Sequence, residues 1–442
     1  MVTITVDNSE SQVLGLMNED LKALRSYISY QPSKAASYFS GRYQAHKISL
    51  INKNGLFPTG LLYQVIHFLR SKDINFQTFE KRHTPMPQLG LFQIRLPFTP
   101  YDEQMLVGEA CRSSKRGIIV APTGMGKSVM AALIINELQV PTLIVVPSLE
   151  LKRQLTDSLR LYFGKDKVTE NGPIRVENVD ALDNKIPLKG IDCVIIDEFH
   201  HSGAKTYRKL DKKTWGNVYY KFGLTATPFR SQDNENILLQ SVLSRVIYRI
   251  EYKEAVDKKF IVPLEAYYYE VPKSSTQGER WAKVYSDLVV NNQVRNKIIH
   301  DLLVKLYAKN ISTLCLVKEI KHGEILASKT SIPFAHGENE DTAWFIQLFN
   351  EKTLKTLIGT TGVLGEGIDT KPAEYIIIAG LGKSKNAFMQ QVGRGFRNYT
   401  GKESCKVILF KDNSHKWCKS HFKEQVKILK EEFGIEPVRL EL

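Results

Sequence analysis

The sequence is poor in cysteine and contains no long apolar run. Its cysteines are Cys111, Cys193, Cys315, Cys405 and Cys418. This odd and sparse set does not suit a disulfide scaffold, so a reducing compartment, the cytoplasm, is expected. The longest apolar stretches, such as YIIIAGLG, are far shorter than the roughly 18 residues that span a bilayer. The N-terminal MVTITVDNSESQ lacks the basic start and the apolar core of a secretory signal.

The composition also excludes a disordered or collagen-like chain, because 43% of the residues are hydrophobic and 10% are aromatic. The length of 442 residues suggests about two to four domains. The chain carries 61 Lys and Arg against 47 Asp and Glu, a formal net charge of +14. This excess favours a polyanionic partner, either nucleic acid or an anionic membrane surface.

Residues 1–95 are predicted to form a small α/β module. The pattern indicates an opening strand (TITV), helices over 19–30 and 59–70, and a further strand at HKISLI before the turn NKNG. The segment TPMPQLG, rich in Pro and Gly, is typical of a linker and closes the module.

From Leu96 onward, short apolar strands alternate with helices, as in parallel sheets covered on both faces. The predicted strands are RGIIVAP, TLIVVP, CVIIDE and KFGLTAT, followed by STLCLV, SIPF, KTLIGT, YIIIAG and KVILF. The stretch 251–271 is predicted to cross between two sheets, and a helical stretch over 277–310 introduces the second one. The sequence therefore predicts an α/β fold with two tandem parallel-sheet domains, 96–252 and 253–442.

The segment APTGMGKS follows a predicted strand and precedes a predicted helix, which is the setting that a phosphate-binding loop requires. Gly124 and Gly126 let backbone N–H groups approach phosphates, Lys127 reaches the β- and γ-phosphates, and Ser128 holds Mg²⁺. Ala121 stands where the strict pattern has Gly. The candidate ATP-binding residues of the loop are Thr123, Gly124, Met125, Gly126, Lys127 and Ser128.

An apolar strand ends in an acidic pair within CVIIDEFHH, 70 residues after the phosphate loop. Asp197 is expected to hold Mg²⁺, and Glu198 is expected to polarise the attacking water. No set of partners surrounds His200 at zinc spacing, so a role in coupling the nucleotide to the next motif is favoured over metal ligation.

These residues resemble the superfamily 2 helicases, and four further motifs take the positions along the chain that they have in that family. IVVPSLELKRQ is similar to a motif that contacts the nucleic-acid backbone, and LTATP to the motif that couples hydrolysis to movement. TTGVLGEGIDT and QQVGRGFR are similar to the fifth and sixth motifs. The residues that the resemblance assigns to nucleic-acid contact or coupling are Pro147, Gln154, His200, Thr225, Thr227, Thr360, Thr361 and Gln390.

The resemblance implies that the two sheets are paired RecA-like domains that bind ATP and Mg²⁺. It implies that Gln104 reads the adenine edge, and that Gly367 and Asp369 are further residues on the ATP side. In the fifth motif the contact threonine is Thr360 or Thr361, and counting does not separate the two.

The sixth motif adds Arg394 and Arg397 to the candidate catalytic residues Lys127 and Glu198. A γ-phosphate needs positive charge beside it in the transition state. Spaced three residues apart on a predicted helix, the two arginines lie on one face. Which of them contacts the γ-phosphate stays open.

Three further segments, VKEIKHGEIL, HGE and HKISLINKNGLFPTGLL, are similar to the UvsW-type bacteriophage recombination helicases. This resemblance implies an ATP-dependent DNA helicase or translocase that acts on branched DNA such as Holliday junctions and forks, in the host cytoplasm if the chain is phage-encoded. An RNA helicase, a double-strand translocase that does not separate strands, and an ATP-gated clamp stay open as alternatives. No membrane partner is expected, and the oligomeric state stays open.

Two lesser patterns have simpler explanations. Four Cys and His residues near the C-terminus have side chains that could bind zinc: Cys405, His415, Cys418 and His421. A structural zinc site usually has two close ligand pairs, and these four are loosely spaced. A strand position for Cys405 and a helix surface for the rest of the set are therefore favoured over a zinc site. Tyr267–Tyr269 lie in the alternating LEAYYYEV, so a strand is favoured over a base-stacking platform.

The leading module lies outside the stretch from Gln104 to Arg397 that holds the hydrolytic residues, so it takes no part in ATP chemistry. We predict that it contacts DNA and biases the motor towards branch points; the alternative is a cap that only stabilises the first RecA-like domain. A chain that begins near Leu96 is then expected to hydrolyse ATP with DNA present and to lose most of its preference for a four-way junction over linear duplex. The basic residues of the module are Lys22, Arg25, Lys34, Arg42, Lys47, Lys53, Arg70, Lys72, Lys81 and Arg82.

Overall fold

A computed structural model shows how most of the chain folds. The residues that it describes are 1–31, 47–182, 188–199, 204–226, 236–364, 370 and 372–441. They form two compact units, the first made of residues 1–121 and 126–250 and the second of residues 122–125 and 251–442.

The chain begins with a small module built on a four-stranded sheet. Its elements are β1 (Val2–Val6), β2 (Glu10–Leu14), α1 (Asn18–Tyr27), β3 (Ser29–Tyr30), β4 (Ile48–Ser49), β5 (Leu56–Pro58), a 3₁₀ turn (Thr59–Leu61), α2 (Leu62–Ser71) and β6 (Phe76–Glu80). The sheet order is β5-β2-β1-β6, with β6 parallel to β1 and the other neighbours antiparallel. The sequence predicts that the first helix extends to Tyr30. Helix α1 instead ends at Tyr27, because Ser29 and Tyr30 form β3, which pairs with β4.

The rest of the first unit is a parallel sheet with helices. Its strands are β7 (Arg116–Val120), β8 (Thr142–Val146), β9 (Ile174–Asn178), β10 (Cys193–Asp197), β11 (Tyr220–Thr225) and β12 (Val246–Arg249). Its helices are α3 (Asp102–Ser114), α4 (Lys127–Leu138), α5 (Leu149–Phe163), α6 (Ala204–Lys213) and α7 (Asn236–Leu243), with a 3₁₀ turn at Val179–Ala181. The strand order is β12-β7-β11-β10-β8-β9, and every described pairing is parallel.

The four predicted strands of this sheet are confirmed, and the two that the sequence did not predict lie at its ends. The central strands β7 and β8 are buried at every position, as expected for strands covered on both faces. In the terminal strand β9 buried and partly exposed residues alternate, and β12 is half-exposed throughout. Neither terminal strand therefore has the continuous apolar run that marks a central parallel strand.

A buried polar joint fastens the module to this sheet. The ammonium of Lys221, a β11 residue that is 1% exposed, lies 2.6 Å from Asp211 Oδ1 and donates to the Asn8 carbonyl at 3.0 Å. The guanidinium of Arg116 donates to the carbonyls of Asn8 and Val242. Because these groups are withdrawn from water, the hydrogen bonds of each depend on the others being in place.

An apolar contact accompanies the polar joint. Leu238, in α7, is fully buried and belongs to the same hydrophobic cluster as Phe57 and Leu61 of the module. At Gly60 a Cβ atom would lie 2.3 Å from the Gln240 carbonyl oxygen, so the two backbones meet at a distance that only glycine permits. The module is therefore part of the first compact unit and shares its core.

The second unit contains a second parallel sheet. Its strands are β13 (Leu264–Val271), β14 (Thr313–Val317), β15 (Phe334–Ala335), β16 (Thr356–Thr360), β17 (Tyr375–Ile378), β18 (Cys405–Asp412) and β19 (Val438–Leu440). They follow the order β15-β16-β14-β17-β18-β13-β19, and all described pairings are parallel. The predicted α/β fold with two tandem parallel sheets is thus confirmed.

The helices of the second unit flank this sheet. They are α8 (Tyr252–Asp257), α9 (Trp281–Tyr285), α10 (Gln293–Ala308), α11 (Ile320–Thr330), α12 (Thr342–Asn350), α13 (Thr361–Leu364), α14 (Lys385–Gly393) and α15 (Lys416–Phe433), with a π-helical turn at Ser286–Val290. The predicted helical stretch 277–310 is interrupted, because the Asn292 side chain accepts from Val294 N and Arg295 N at 3.1 Å and caps α10. No described helix is long and apolar enough to cross a membrane.

Three sequence expectations are settled in the second unit. The stretch 251–271 is not only a crossover, since β13 lies inside the second sheet between β18 and β19. The strand at Tyr267–Tyr269 is confirmed. The prediction that Cys418 and His421 lie on a helix surface is wrong: Cys418 is fully buried and His421 is 8% exposed, because α15 packs this face against Trp281.

Candidate active site

The candidate residues of the first unit meet at the edge of the sheet where its parallel strands end. Ala121 N, just after β7, donates to the Thr225 carbonyl at 3.0 Å, and Glu198 N, just after β10, donates to the Leu224 carbonyl at 2.9 Å. These two bonds join the ends of β7, β11 and β10. Open α/β sheets bind ligands at this carboxyl edge.

The phosphate loop has the backbone conformation that its glycines permit. Gly124 has φ +97° and Gly126 has φ +73°, both in the left-handed region that favours glycine. Gly126 caps the N-terminus of α4, whose first residue is Lys127. The N–H groups at the start of this helix are the groups that bind phosphate in such loops.

Gln104 lies beside the loop. Its Oε1 accepts from Tyr101 N at 3.0 Å, which caps α3. A Cβ atom at Gly126 would lie 2.9 Å from Gln104 Nε2. Gln104 is 4% exposed, so its amide is packed between the start of α3 and the loop.

The catalytic candidates Lys127 and Glu198 form an ion pair, through Lys127 Nζ and Glu198 Oε1. The other carboxylate oxygen of Glu198 accepts from Thr225 Oγ1 at 3.3 Å. Glu198 has φ +46°, which is uncommon for a residue with a side chain and is found where a local structure is held for function. The pattern of the sequence did not reveal that Thr225 contacts Glu198, because their strands are brought together only by the sheet.

Asp197 and Ser128 have the chemistry of Mg²⁺ ligands, which are oxygen atoms of carboxylates and hydroxyls. Asp197 Oδ1 is buried and hydrogen-bonds to no described residue. Burial raises the pKa of Asp197 to about 7; the Glu198 charge acts in the same direction and Lys127 in the opposite one. A cation at Asp197 would satisfy the orphaned oxygen and stabilise its charge, so the residues fit Mg²⁺. Ser128 is half-buried at the second position of α4.

Two other candidates of the first unit follow β8 at the same sheet edge. Pro147 is half-buried between β8 and α5. Gln154, on α5, donates from Nε2 to Glu150 Oε1 at 2.8 Å. His200 and Thr227 lie outside the described residues, as do Gly367 and Asp369 of the second unit.

In the second unit the two candidate threonines occupy different positions. Thr360, the last residue of β16, is buried at 7% exposure. Thr361 begins α13 and lines a cavity at the carboxyl edge of the second sheet. Gln390 is a half-buried residue of α14.

The prediction that Arg394 and Arg397 share one face of a helix is wrong. Helix α14 ends at Gly393, Arg394 is its C-terminal cap, and Arg397 forms an antiparallel bridge with Ile261. The chain leaves the helix here because Gly395 packs onto Cys405: a Cβ atom at position 395 would lie 1.9 Å from Sγ of that cysteine. Arg394 is buried at 9% exposure.

Comparison with known families agrees with this site. The family model "Type III restriction enzyme, res subunit" matches residues 91–230, and the model "Helicase conserved C-terminal domain" matches residues 294–399. The first match includes the phosphate loop and the acidic pair, and the second includes the arginines of the sixth motif.

Individual relatives are distant but extensive. The DNA 3'-5' translocase XPB2 of Sulfurisphaera tokodaii is 25% identical over 352 residues, which cover 67% of this chain and 78% of the relative. The ATP-dependent DNA helicase uvsW of Enterobacteria phage T4 is 22% identical over 402 residues, which cover 80% of this chain and 79% of the relative.

Among solved structures, Saccharomyces cerevisiae Dbp5 bound to RNA and ADP BeF3 has a similar fold, with a TM-score of 0.55 and 16% identity over 77% of this chain and 90% of that chain. At this identity the likeness concerns the fold alone. The family models, the relatives and the phosphate-loop site lead to one conclusion: the chain belongs to the superfamily 2 helicases, as an ATP-hydrolysing nucleic-acid helicase that resembles the UvsW type.

Proposed function

We propose that this helicase remodels branched DNA, such as Holliday junctions and forks, as an ATP-driven DNA helicase or translocase. The observation that carries the proposal is the buried joint that fixes the N-terminal module to the first sheet. Contacts to the nucleic-acid backbone position a protein but do not tell a junction from plain duplex. A second contact surface, held at a fixed place on the motor, supplies that distinction. The choice of DNA is supported by the two relatives reported above, which are DNA enzymes by name.

The surface of the module suits DNA. Its exposed basic residues are Lys22, Arg25, Lys47, Lys53, Arg70, Lys72 and Lys81. Arg82 pairs with Glu80 at 2.6 Å, which neutralises it, and Lys34 and Arg42 lie outside the described residues. Seven exposed cations on a small domain provide a sequence-independent, salt-sensitive attraction for phosphates.

The ion pair between Lys127 and Glu198 suggests how ATP sets up hydrolysis. We propose that the phosphates of ATP take Lys127 as their partner, which releases the Glu198 carboxylate. Glu198, oriented by the Thr225 hydroxyl, then accepts the proton of the attacking water. Mg²⁺ held by Asp197 and Ser128 would neutralise charge on the β- and γ-phosphates.

For the arginines of the sixth motif we propose a contact with the γ-phosphate in the transition state. Arg394→Ala is then expected to lower ATP turnover by about 10²-fold, as for loss of one electrostatic contact to developing charge. DNA affinity should change little, because the contact forms only during reaction. Steady-state ATP hydrolysis and DNA binding are measured in parallel, with the exposed Arg439→Ala as control. Equal losses in both measurements would place Arg394 on the nucleic-acid track instead.

The nucleic-acid track is proposed to follow the carboxyl edges of the sheets. Pro147 and Gln154 stand at that edge in the first unit, and Thr361 stands there in the second. We propose that these residues contact the phosphate backbone, with Gln154 exchanging its bond to Glu150 for one to the strand.

A substrate panel tests the proposed function. ATP hydrolysis and strand separation are measured with single-stranded DNA, linear duplex, a four-way junction and RNA. Faster hydrolysis and remodelling with the junction support the proposal. Stimulation by RNA alone indicates an RNA helicase, ATP-dependent movement on duplex without separation indicates a translocase, and tight binding without turnover indicates a clamp.

The role of the module is tested by reversing its charge. The double change Lys22→Glu and Arg25→Glu on α1 should lower junction affinity and leave DNA-independent ATP hydrolysis unchanged. If both residues contact phosphates, the slope of log affinity against log salt becomes shallower by about 2. The same reversal at two exposed lysines, Lys305 of α10 and Lys309 at the C-terminal cap of that helix, is the control. An unchanged preference for the junction over duplex would contradict a DNA-contacting module.

A further inference from the structure

The second unit contains a cavity of about 250 Å³ at the carboxyl edge of its sheet, between the ends of β14 and β17 and the start of α14. Its lining is of two kinds. The floor is apolar and includes Leu316, Ile378 and Phe388, while Lys318, Lys383 and Gln425 are polar residues of the wall and rim. The cavity is smaller than the roughly 300–1,000 Å³ of pockets for drug-sized ligands, so it suits a single small group.

Gln425 lines this cavity without a hydrogen-bond partner. It is 3% exposed and lies on α15. None of the described residues hydrogen-bonds its side-chain amide, which is left to the cavity that it lines. An amide both donates and accepts, so a group that offers both at one edge would satisfy it.

The rim of the cavity is electropositive. Neither Lys318 nor Lys383 forms an ion pair within the described part of the chain, whereas the nearby Lys385 pairs with Glu432. The pKa of the neighbouring His421 is lowered to about 4, chiefly by burial and then by the charges of Lys383 and Lys318. The Lys318 ammonium lies over the Tyr285 ring, 5.5 Å from its centroid, so Lys383 is the lysine of this rim that is left to attract an anion.

Helix α14 adds to this attraction for an anion. Its N-terminus opens onto the cavity after the glycine-containing loop 380–384, and Ser384 caps it by accepting from Ala387 N at 3.3 Å. Backbone N–H groups at a helix start attract anions. The start of α14 and the side chain of Lys383 thus offer a phosphate two kinds of partner at the same rim.

We propose that this cavity binds one unpaired nucleotide of the bound strand, an inference that rests on the proposed nucleic-acid function. The base lies inside, on the apolar floor and against the amide of Gln425, and its phosphate lies at the rim with Lys383 and the start of α14. A phosphate alone is strongly hydrated and does not account for the apolar floor. A base has an apolar face and an edge that donates and accepts.

The site would select unpaired strands. A base that is paired and stacked in a duplex cannot enter a cavity unless it is turned out of the helix, which costs free energy. The second unit would thus bind a base of the single strand that the motor exposes at a fork, in addition to contacting the phosphate backbone of that strand.

An abasic scan on the full-length protein tests the inference. A short oligothymidylate carries one abasic site, moved through each position in turn, and its affinity is compared with that of the intact strand. At one position the abasic site should weaken binding by about 5–100-fold, the range for losing one well-held base. Gln425→Leu should weaken binding of the intact strand and remove most of this position dependence. Thermal unfolding of Gln425→Leu beside the natural chain checks that the variant keeps its fold.

Two further variants separate the base from the phosphate. Lys383→Ala should weaken intact and abasic strands equally and make the salt dependence shallower by about one phosphate contact. Gln347→Leu, at an exposed residue of α12 that bonds to Glu351, is the control and should bind as the natural chain does. The inference is wrong if no position of the abasic site weakens binding, or if Gln425→Leu shows the same position dependence as the natural chain. In either case ATP hydrolysis and DNA binding would still support the proposed function. If no nucleic acid binds at all, the proposed function fails and the inference fails with it.

Discussion

The Glu198→Gln variant is expected to bind ATP as the natural chain does and to hydrolyse it about 10²–10⁴-fold more slowly, the range for loss of a positioned general base. The amide keeps the shape of the side chain, so the loop and the sheet edge are undisturbed. It cannot accept the proton of water. Nucleotide binding and single-turnover hydrolysis, measured on the same preparation with DNA present, separate the two steps.

A graded series identifies the cause of this loss. Thr225→Val removes the hydroxyl that donates to Glu198 but keeps the carboxylate, so its loss of turnover should be smaller. Glu109→Gln, at an exposed glutamate of α3, is the control for the change itself and should hydrolyse ATP normally. Hydrolysis by Glu198→Gln at the natural rate would show that another group takes the proton.

The central strands of both sheets could be predicted because strands buried on both faces have nearly continuous apolar sequences. Strands such as β8, with TLIVV buried throughout, are apolar at nearly every position, and short loops bracket them. β19 is mostly exposed, and β13 alternates, so neither has that pattern. The sequence also gives no sign that β13 enters the sheet beside β18, because this pairing joins residues far apart in the chain.

The ATP site was predictable for a related reason, since the phosphate loop and the acidic pair are each contiguous in the chain. What joins them is not contiguous. The bond between Thr225 and Glu198 depends on the order of strands, and the end of α14 before Arg394 depends on the packing of Gly395 against Cys405. Physical contact between distant segments decides both features.

The buried joint did leave one sign in the sequence. Lys221 interrupts the apolar strand YKFGLT, and a lysine in a central strand needs a buried partner. The identity of that partner could not be deduced, because Asp211 lies in another element and the Asn8 carbonyl lies 213 residues away. The structure shows both, and it shows that the partnership extends to the N-terminal module.

Asp211→Ala is accordingly expected to lower the free energy of unfolding by about 3–5 kcal/mol, as when one partner of a buried ion pair is removed. Burial lowers the pKa of Lys221 to about 8, and Asp211 opposes that shift. Without Asp211 the ammonium is buried with only the Asn8 carbonyl beside it. Urea or thermal unfolding measures the loss, and the additional change Lys221→Met should restore part of it because no charge is then left unpaired.

An exposed ion pair in the same joint supplies the matched control. Lys212 lies 2.7 Å from Glu10 with both side chains near half-exposed, so Lys212→Ala should cost no more than about 1 kcal/mol.

The loss of buried partners also affects a chain that begins near Leu96. It lacks Asn8, leaves Lys221 and Arg116 short of a buried acceptor, and exposes Leu238. We therefore expect such a chain to be less stable than the full chain, so its ATP hydrolysis is measured at a temperature at which it stays folded. A truncated chain that unfolds as cooperatively and at the same urea concentration as the full chain would show that the joint stabilises nothing.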